Sequence, residues 1–278
     1  MNIGKLIEVG VAVADLAAAS GSFSTLLDAP LTDTIQAPMF AMDFRMCRLG
    51  DVDFELMTAY GADSVISRFI ARRGEGLHHI AFQVADIAET IAQCHQRGLP
   101  ILSDEPVLLG GLRAAFLHPA CLSGLLVEFV ENLHGWPLAH AHGRPERDIG
   151  RISGFGVAVK DVDAAALQYA AVLGAEISER RWNEQIRAHV RHAWLNGIRF
   201  EIFPVEASRP ASLGGDGQGL HHVCLDVRQP NALASIRLPT PARGAAEAEV
   251  FHTDPRACHG VMFEIHADAA VPLAALGE

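Results

Sequence analysis

A pair of histidines enters an apolar run twice in this chain, in GLHHIAFQVAD at residues 76–86 and in GLHHVCLDVRQ at residues 219–229. Imidazole nitrogen is a common ligand of divalent metal ions, and a carboxylate beside it supplies the other donor of a Lewis-acid site. Side chains alternate between the two faces of a strand, so only one histidine of each pair can face such a site. We expect that residue to be His79 in the first copy and His222 in the second.

Glutamates inside late, otherwise apolar strands are the second unusual feature, as in DFELM around Glu55 and LLVEFVE around Glu128. A buried carboxylate costs several kcal/mol unless it is paired, protonated or bound to a metal. One such residue could simply point outward on a half-exposed strand. Four glutamates stand at matching positions of the repeats. Each is associated with a position at the start of an earlier strand, which is polar in three of the four cases. This recurrence favours a shared role. The associated positions are Glu8 with Glu55, His79 with Glu128, Gly154 with Glu201, and His222 with Glu264.

If two curved sheets pair about a pseudo-twofold axis, these positions converge in a cup that offers imidazole nitrogen and carboxylate oxygen to one divalent ion. Three or four such ligands with open positions are what a Lewis-acid site requires. His78 and His221 point to the opposite strand face in this scheme. We expect those two residues to pack or form hydrogen bonds.

The elements that position these residues occur as repeats. The stretch GVAVADL aligns with GVAVKDV at an offset of 146 residues, from Gly10 to Gly156, which indicates a tandem duplication. A weaker repeat within each half relates EVGVAVADL to HIAFQVADI at an offset of 71 residues, from Glu8 to His79. Each unit reads as a strand, an Asp-capped helix and β-rich runs, so the sequence predicts an α+β fold of four βαβββ modules.

Helix signals support this division into modules. Asp15 is expected to cap a helix that runs to about Leu27, and Asp86 a helix that Gly98 ends.

A stretch rich in Pro, Gly and charged residues then separates the two halves. We predict an N-terminal domain at 1–133, a linker at 134–149 and a C-terminal domain at 150–278, each domain with two modules. His140 and His142 fall in the linker and are expected to be solvated.

Composition excludes several classes of protein. The 278 residues suit two domains, and the net charge of −11 with a pI near 5.7 argues against a nucleic-acid partner. Five cysteines without a CxxC pair predict neither a disulfide framework nor a zinc finger, and they favour a reducing, cytoplasmic location. Glu8 and Asp15 interrupt the N-terminal apolar stretch, which is therefore expected to be neither a signal peptide nor a membrane span.

The motifs GVAVADL, SRFIARRGEGLHHIAFQVADI and DEPVLLGGLRAAFLHPACLSGLLVEFVE resemble the methylmalonyl-CoA epimerases of the vicinal oxygen chelate superfamily. This superfamily also contains glyoxalases, extradiol dioxygenases and bleomycin-resistance proteins. The resemblance covers residues 5–131 with specific motifs and continues more thinly over residues 151–266. It implies that the βαβββ modules pair into two vicinal-oxygen-chelate domains.

The resemblance also implies a metal at four positions, which here are occupied by Glu8, Glu55, His79 and Glu128. The first position is normally a histidine in a DHIGIAV context, and this chain supplies Glu8 instead. Three carboxylates and one imidazole favour the harder ions Mn²⁺, Fe²⁺ or Mg²⁺, although Co²⁺, Ni²⁺ and Zn²⁺ stay open. Alternatively, Glu8 is not a ligand.

The second half departs further, because Gly154 offers no donor and leaves Glu201, His222 and Glu264 as ligands of a functional or vestigial site. Swapped module pairing would instead group Glu8 and Glu55 with His222 and Glu264.

The function implied by the resemblance is that of a metal-dependent isomerase, epimerase or lyase. Such an enzyme acts through an enediolate on a small oxygenated acid or ketone. Glu128 is expected to be both ligand and base, by analogy with glyoxalase-type sites, and Glu8 the base if it does not bind metal. The alternatives are an extradiol-type ring-cleaving dioxygenase and a non-catalytic small-molecule-binding protein of the bleomycin-resistance type. The expected partner is a small-molecule substrate, with no membrane partner, and the expected assembly is a pseudodimeric monomer or a homodimer.

Overall fold

The computed structural model describes residues 1–27, 30–49, 52–109, 111–132, 150–207, 217–227 and 249–267. The predicted linker at 134–149, with His140 and His142, lies outside the described residues. The proposed domain boundaries beside it therefore remain predictions. Among the described residues, no helix combines the length and the apolar composition needed to cross a membrane.

The described residues of the N-terminal half form an eight-stranded sheet with three α-helices. Its elements are β1 (Ile3–Ala12), α1 (Leu16–Leu27), β2 (Ile35–Ala37), β3 (Met42–Leu49), β4 (Val52–Ala59), α2 (Val65–Arg73), β5 (Gly76–Val84), α3 (Ile87–Gln96), β6 (Val107–Leu109), β7 (Leu112–Leu117) and β8 (Val127–Asn132). The strand order is β2-β3-β4-β1-β5-β8-β7-β6. The first strands of the two modules, β1 and β5, are thus neighbours at the centre, and the last strands, β4 and β8, flank them.

The C-terminal half repeats this pattern. Its elements are β9 (Gly150–Val159), α4 (Val162–Leu173), β10 (Glu176–Ile177), β11 (Arg181–Asn183), β12 (Ala188–Leu195), β13 (Ile198–Pro204), β14 (Gly219–Val227), β15 (Glu249–His252) and β16 (Met262–Ala267). The order is β10-β12-β13-β9-β14-β16-β15, with β11 paired to β12. The predicted α+β class is confirmed: the first two modules show the βαβββ order, and the third has the additional short strand β11 after its helix. The segment between β14 and β15 lies outside the described residues.

The helices begin where the sequence places their caps. Asp15 accepts hydrogen bonds from the backbone N–H groups of Ala17 and Ala18. Asp86 accepts one from the N–H of Glu89, 2.9 Å away. These bonds satisfy N–H groups that have no partner within the first turn of a helix. After α3, Gly98 adopts a positive φ of 64°, the usual glycine ending of a helix.

The chain also forms two compact units, each built largely from one module of the N-terminal half and one module of the C-terminal half. The first comprises the described residues of Met1–Gly10, His78–Ala139 and Phe155–His221. Within it, Ser123 donates a hydrogen bond to Gln168, 2.7 Å away. Arg97 donates hydrogen bonds to the carbonyl oxygens of Ala171 and Val172 at the end of α4.

The second unit comprises the described residues of Val11–Leu77, His140–Gly154 and His222–Glu278. Three fully buried aromatic rings, from α1, β4 and β16, pack together in its core. The ring centroids lie between 5.6 and 6.0 Å apart in tilted or edge-on arrangements, which suit the aromatic quadrupole. The three rings belong to Phe23, Phe54 and Phe263.

Candidate metal centre

His79 on β5 lies against two carboxylates from the strands on either side. Its Nε2 atom is 3.2 Å from Oε1 of Glu8 on β1 and 3.1 Å from Oε2 of Glu128 on β8. All three residues are at most 9% exposed. The central position of β5, between β1 and β8, therefore brings together one residue of the first module and two of the second.

Glu55 on β4 belongs to the same group. One ligand atom from each of Glu8, Glu55 and His79 lies within 4.8 Å of the others, and Glu55 is 6% exposed. All four positions inferred from the repeat in the first half are thus occupied by buried donors, each of which lies close to another member of the set.

The charge of this set is its main physical property. Three carboxyl groups and a single imidazole are buried close together, so the group carries a net negative charge whenever all three carboxyls are ionised. Removing such charges from water without compensation is strongly unfavourable. A divalent cation supplies that compensation, and oxygen donors with one nitrogen suit a hard or borderline ion. The residues present therefore fit the metal expected from the sequence.

The ring of His79 is held in place by its neighbours. A Cβ atom at Gly10 would lie 2.2 Å from the ring atoms Cε1 and Nδ1, so only glycine leaves room for this ring. Nδ1 of His78 lies 3.0 Å from Nδ1 of His79, and the ring of Phe116 packs edge-on at 6.0 Å. With Nδ1 directed at His78, Nε2 is the nitrogen presented to the carboxylates, the arrangement typical of metal-binding histidines.

The second half contains a different group, centred on Glu264 of β16. Nε2 of His222 lies 3.7 Å from Oε2 of Glu264, and the sulfur of Cys224 lies 3.7 Å from Oε1. One ligand atom from each of these three residues lies within 4.8 Å of the others. Each of the two metal-capable groups found among the described residues takes its donors from one half of the chain.

Two further histidines hold the carboxylate of Glu264. Nε2 of His252 lies 3.1 Å from Oε2, and Nε2 of His266 lies 2.7 Å from Oε1. Burial raises the pKa of Glu264, but hydrogen bonds from both histidines and the charge of His222 outweigh it and leave the pKa well below its ordinary value. Glu264 is therefore a carboxylate at neutral pH.

Glu201 has other partners. Its Oε2 atom lies 3.1 Å from Nε2 of His192, and its Oε1 atom accepts a hydrogen bond from Asn183 at 3.3 Å. Among the described residues, the metal-capable group around Glu264 contains His222 and Cys224 and does not include Glu201. The ligand role of Glu201 stays a prediction. Gly154 contributes no side-chain donor.

Sequence reasoning missed Cys224, His252 and His266. A signal for two of them was available, because residues two apart on a strand share a face. Cys224 follows His222 at that spacing, and His266 follows Glu264. His252 is the direct cross-strand partner of Glu264, a relation that depends on register and cannot be read from the spacing.

Comparison with known proteins gives a family match, two similar proteins and a similar solved structure. The family model of the glyoxalase/bleomycin resistance protein/dioxygenase superfamily matches residues 8–116. Mitochondrial methylmalonyl-CoA epimerase of Bos taurus is 31% identical over 132 residues, 47% of this chain and 75% of that protein. The ethylmalonyl-CoA/methylmalonyl-CoA epimerase of Cereibacter sphaeroides is 30% identical over 132 residues, 46% of this chain and 98% of that protein.

A solved structure is similar over both halves. A variant of 4-hydroxymandelate synthase from Streptomyces coelicolor matches with a TM-score of 0.74 and covers 96% of this chain and 93% of its own. Its sequence identity is 17%, so the likeness concerns the fold.

Proposed function

Because this chain belongs to the glyoxalase/bleomycin resistance protein/dioxygenase superfamily, we propose that it is a metal-dependent isomerase of the epimerase type. The substrate class is a small oxygenated acid or ketone whose reacting carbon carries a proton beside a carbonyl group. The observation that carries this proposal is the buried set of three carboxylates around His79. The names of the relatives from Bos taurus and Cereibacter sphaeroides support the reaction type.

The metal would be held by Glu8, Glu55, His79 and Glu128. A divalent ion in that position supplies positive charge that stabilises negative charge developing on a substrate carbonyl oxygen. Neighbouring oxygens on the substrate would favour its binding over water. The burial of all four residues limits access of bulk water, which strengthens electrostatic interactions in the site.

We assign proton transfer to two of the carboxylates. Epimerisation removes a proton from one face of a carbon and returns one to the other face, so two acid–base groups on opposite sides are suited to it. Glu8 and Glu128 stand on the two strands that flank β5 and contact the same nitrogen of His79 from those strands. We assign Glu128, which has the more exposed side chain of the two, as the base that accepts the proton from one face of the carbon. Glu8 is assigned as the acid that returns a proton to the other face.

Exchange of the substrate α-proton with solvent tests this assignment. The metal-loaded protein is incubated in D₂O with 2-methyl and 2-oxo acids and their thioesters, and deuterium incorporation is followed by NMR. We expect exchange to fall by about 10²–10⁴-fold in Glu128→Gln, the contribution typical of a general base. Glu105→Gln, a change at an exposed glutamate, is the matched control and should exchange normally. Undiminished exchange in Glu128→Gln would remove the base assignment, and no exchange by the wild type with any member of this class would remove the isomerase proposal.

A ring-cleaving dioxygenase is the second candidate function. Such enzymes commonly use two imidazoles and one carboxylate on Fe²⁺, and the group around Glu264 has His222, His252 and His266 near one carboxylate. The set around His79 has only one imidazole, which is why this candidate ranks below the isomerase. Oxygen consumption by the Fe²⁺-loaded protein with catechols would support it.

A further inference from the structure

The donors near Glu264 come from three neighbouring strands that present them on one face of the sheet. In the parallel pair β14 and β16, Cys224 is the register partner of Glu264. In the antiparallel pair β15 and β16, His252 is its partner. His222 lies two residues before Cys224 and therefore on the same face. The strand geometry alone thus directs imidazole, thiol and carboxylate groups at one point.

Burial and distance make this group different from a solvated cluster. His222 is 5% exposed, Cys224 is fully buried, and the side chain of Glu264 is 12% exposed. We propose that His222, Cys224 and Glu264 form a second metal site, which takes a borderline-soft divalent ion such as Zn²⁺ or Co²⁺ through the sulfur of Cys224. The thiol loses its proton when the ion binds, because the thiolate is the form that ligates metal.

The donor types decide which ion is preferred. The set around His79 contains only oxygen and imidazole nitrogen, whereas this set contains sulfur, nitrogen and oxygen. Thiolate shifts preference away from Mg²⁺ and Mn²⁺ and toward Zn²⁺ and Co²⁺. Three protein ligands leave a coordination position open, as in catalytic zinc sites. The two halves of the chain therefore select different ions.

His252 and His266 act as positioning residues in this site. Each contacts one oxygen of Glu264, at 3.1 and 2.7 Å, so the carboxylate is fixed from both sides. Partners of this kind orient ligands, and their loss typically reduces metal affinity by about 10–100-fold. We expect His252→Ala to weaken the site without removing the sulfur ligand.

Cobalt absorption provides the test, because thiolate bound to Co²⁺ gives a sulfur-to-metal charge-transfer band in the near ultraviolet. The whole chain, produced without a histidine tag and stripped of metal, is titrated with Co²⁺. We expect a band that saturates at one bound thiolate-ligated cobalt per chain. Cobalt held by the residues around His79 does not contribute to this band, since that set has no sulfur. The result is therefore independent of the isomerase proposal.

The variants make the assignment specific. Cys224→Ser should abolish the band, Cys94→Ser, a change at another buried cysteine, should keep it, and His252→Ala should keep the band with an affinity weaker by about 10–100-fold. No band in the wild type, or a band that survives Cys224→Ser, would overturn the proposal. If Cys224→Ser does not fold, the band must instead persist when each of the other four cysteines is replaced singly. Loss of the band in any of those variants would also overturn it.

Discussion

Gly10→Ala is the most direct test of how the chain positions His79. The backbone at residue 10 is not in the left-handed region, so alanine adds no backbone strain. The change adds a single methyl group, and its carbon would lie 2.2 Å from Cε1 and Nδ1 of the His79 ring. The ligands themselves remain chemically intact. Any effect on metal binding must therefore come from displacement of the ring.

The size of the displacement follows from the contact. Ordinary van der Waals contact begins near 3.4 Å, so the ring must retreat by about 1.2 Å. Metal–ligand distances tolerate deviations of only about 0.2 Å, and a shift of this size removes His79 from the ligand set. We expect affinity for Mn²⁺ or Co²⁺ to fall by at least about tenfold, or about 1.4 kcal/mol. If the ring is held in place instead, overpacking should lower the free energy of unfolding by about 1–3 kcal/mol.

Isothermal titration calorimetry on the metal-free protein measures the affinity, and urea unfolding measures the stability. Gly21→Ala is the matched control, because Gly21 lies in α1 with nothing within 4 Å of an added Cβ atom. That change should leave metal affinity unaltered and stabilise the helix by about 0.5–1 kcal/mol. Unchanged affinity together with unchanged stability in Gly10→Ala would refute the reasoning, since the methyl group cannot share the space of the ring.

Three further predictions concern the rest of the molecule. The hydrogen bond from Arg191 holds the pKa of Asp163 below its usual value, so this interaction stabilises the fold above the ordinary carboxyl pKa and is lost as pH falls through the lowered one. Asp163→Asn should therefore lower the free energy of unfolding at neutral pH by about 0.5 kcal/mol or less, because the pair is exposed to solvent. Urea titrations at several pH values should show this difference vanish in strong acid. Burial raises the pKa of Cys47 to about 12, so this thiol should resist alkylation at pH 8 until the protein unfolds. Mass spectrometry of iodoacetamide-treated protein measures the alkylation, and rapid labelling of the folded chain would contradict the prediction. Phe23→Ala should cost about 3–5 kcal/mol of unfolding free energy in denaturant titrations, because it leaves a cavity beside two other buried rings; a loss below that range would mean that the core refills the space.

Much of the N-terminal site could be predicted from the sequence, because the repeat places equivalent positions on equivalent strands. Glu55 and Glu128 were identified as unusual because each is a charge in an apolar run. Glu8 and His79 were then identified because they occupy equivalent positions at the start of the first strand of each module. Helix starts could also be predicted from cap residues such as Asp86, because the side chain of a cap accepts a hydrogen bond from a backbone N–H group only a few residues away.

Contacts that depend on strand register could not be predicted. Glu201 faces His192 because these residues are direct partners in the antiparallel pair β12 and β13. His252 faces Glu264 through the equivalent relation between β15 and β16. A shift of one residue in either pair would send the partner to the other face, and the sequence does not specify the shift. Register therefore decides which ligands the second half offers.

The sharing of each compact unit between the two halves has an evolutionary consequence. Phe263 from the second half completes the aromatic core formed by Phe23 and Phe54, and the carbonyl oxygens that end α4 receive Arg97 from the first half. A half expressed alone would expose these surfaces, so we expect neither copy to be dispensable after the duplication. We therefore expect packing alone to preserve the second copy, whatever its chemistry. That retention leaves its donor positions free to change, and Gly154 stands where the first copy has Glu8.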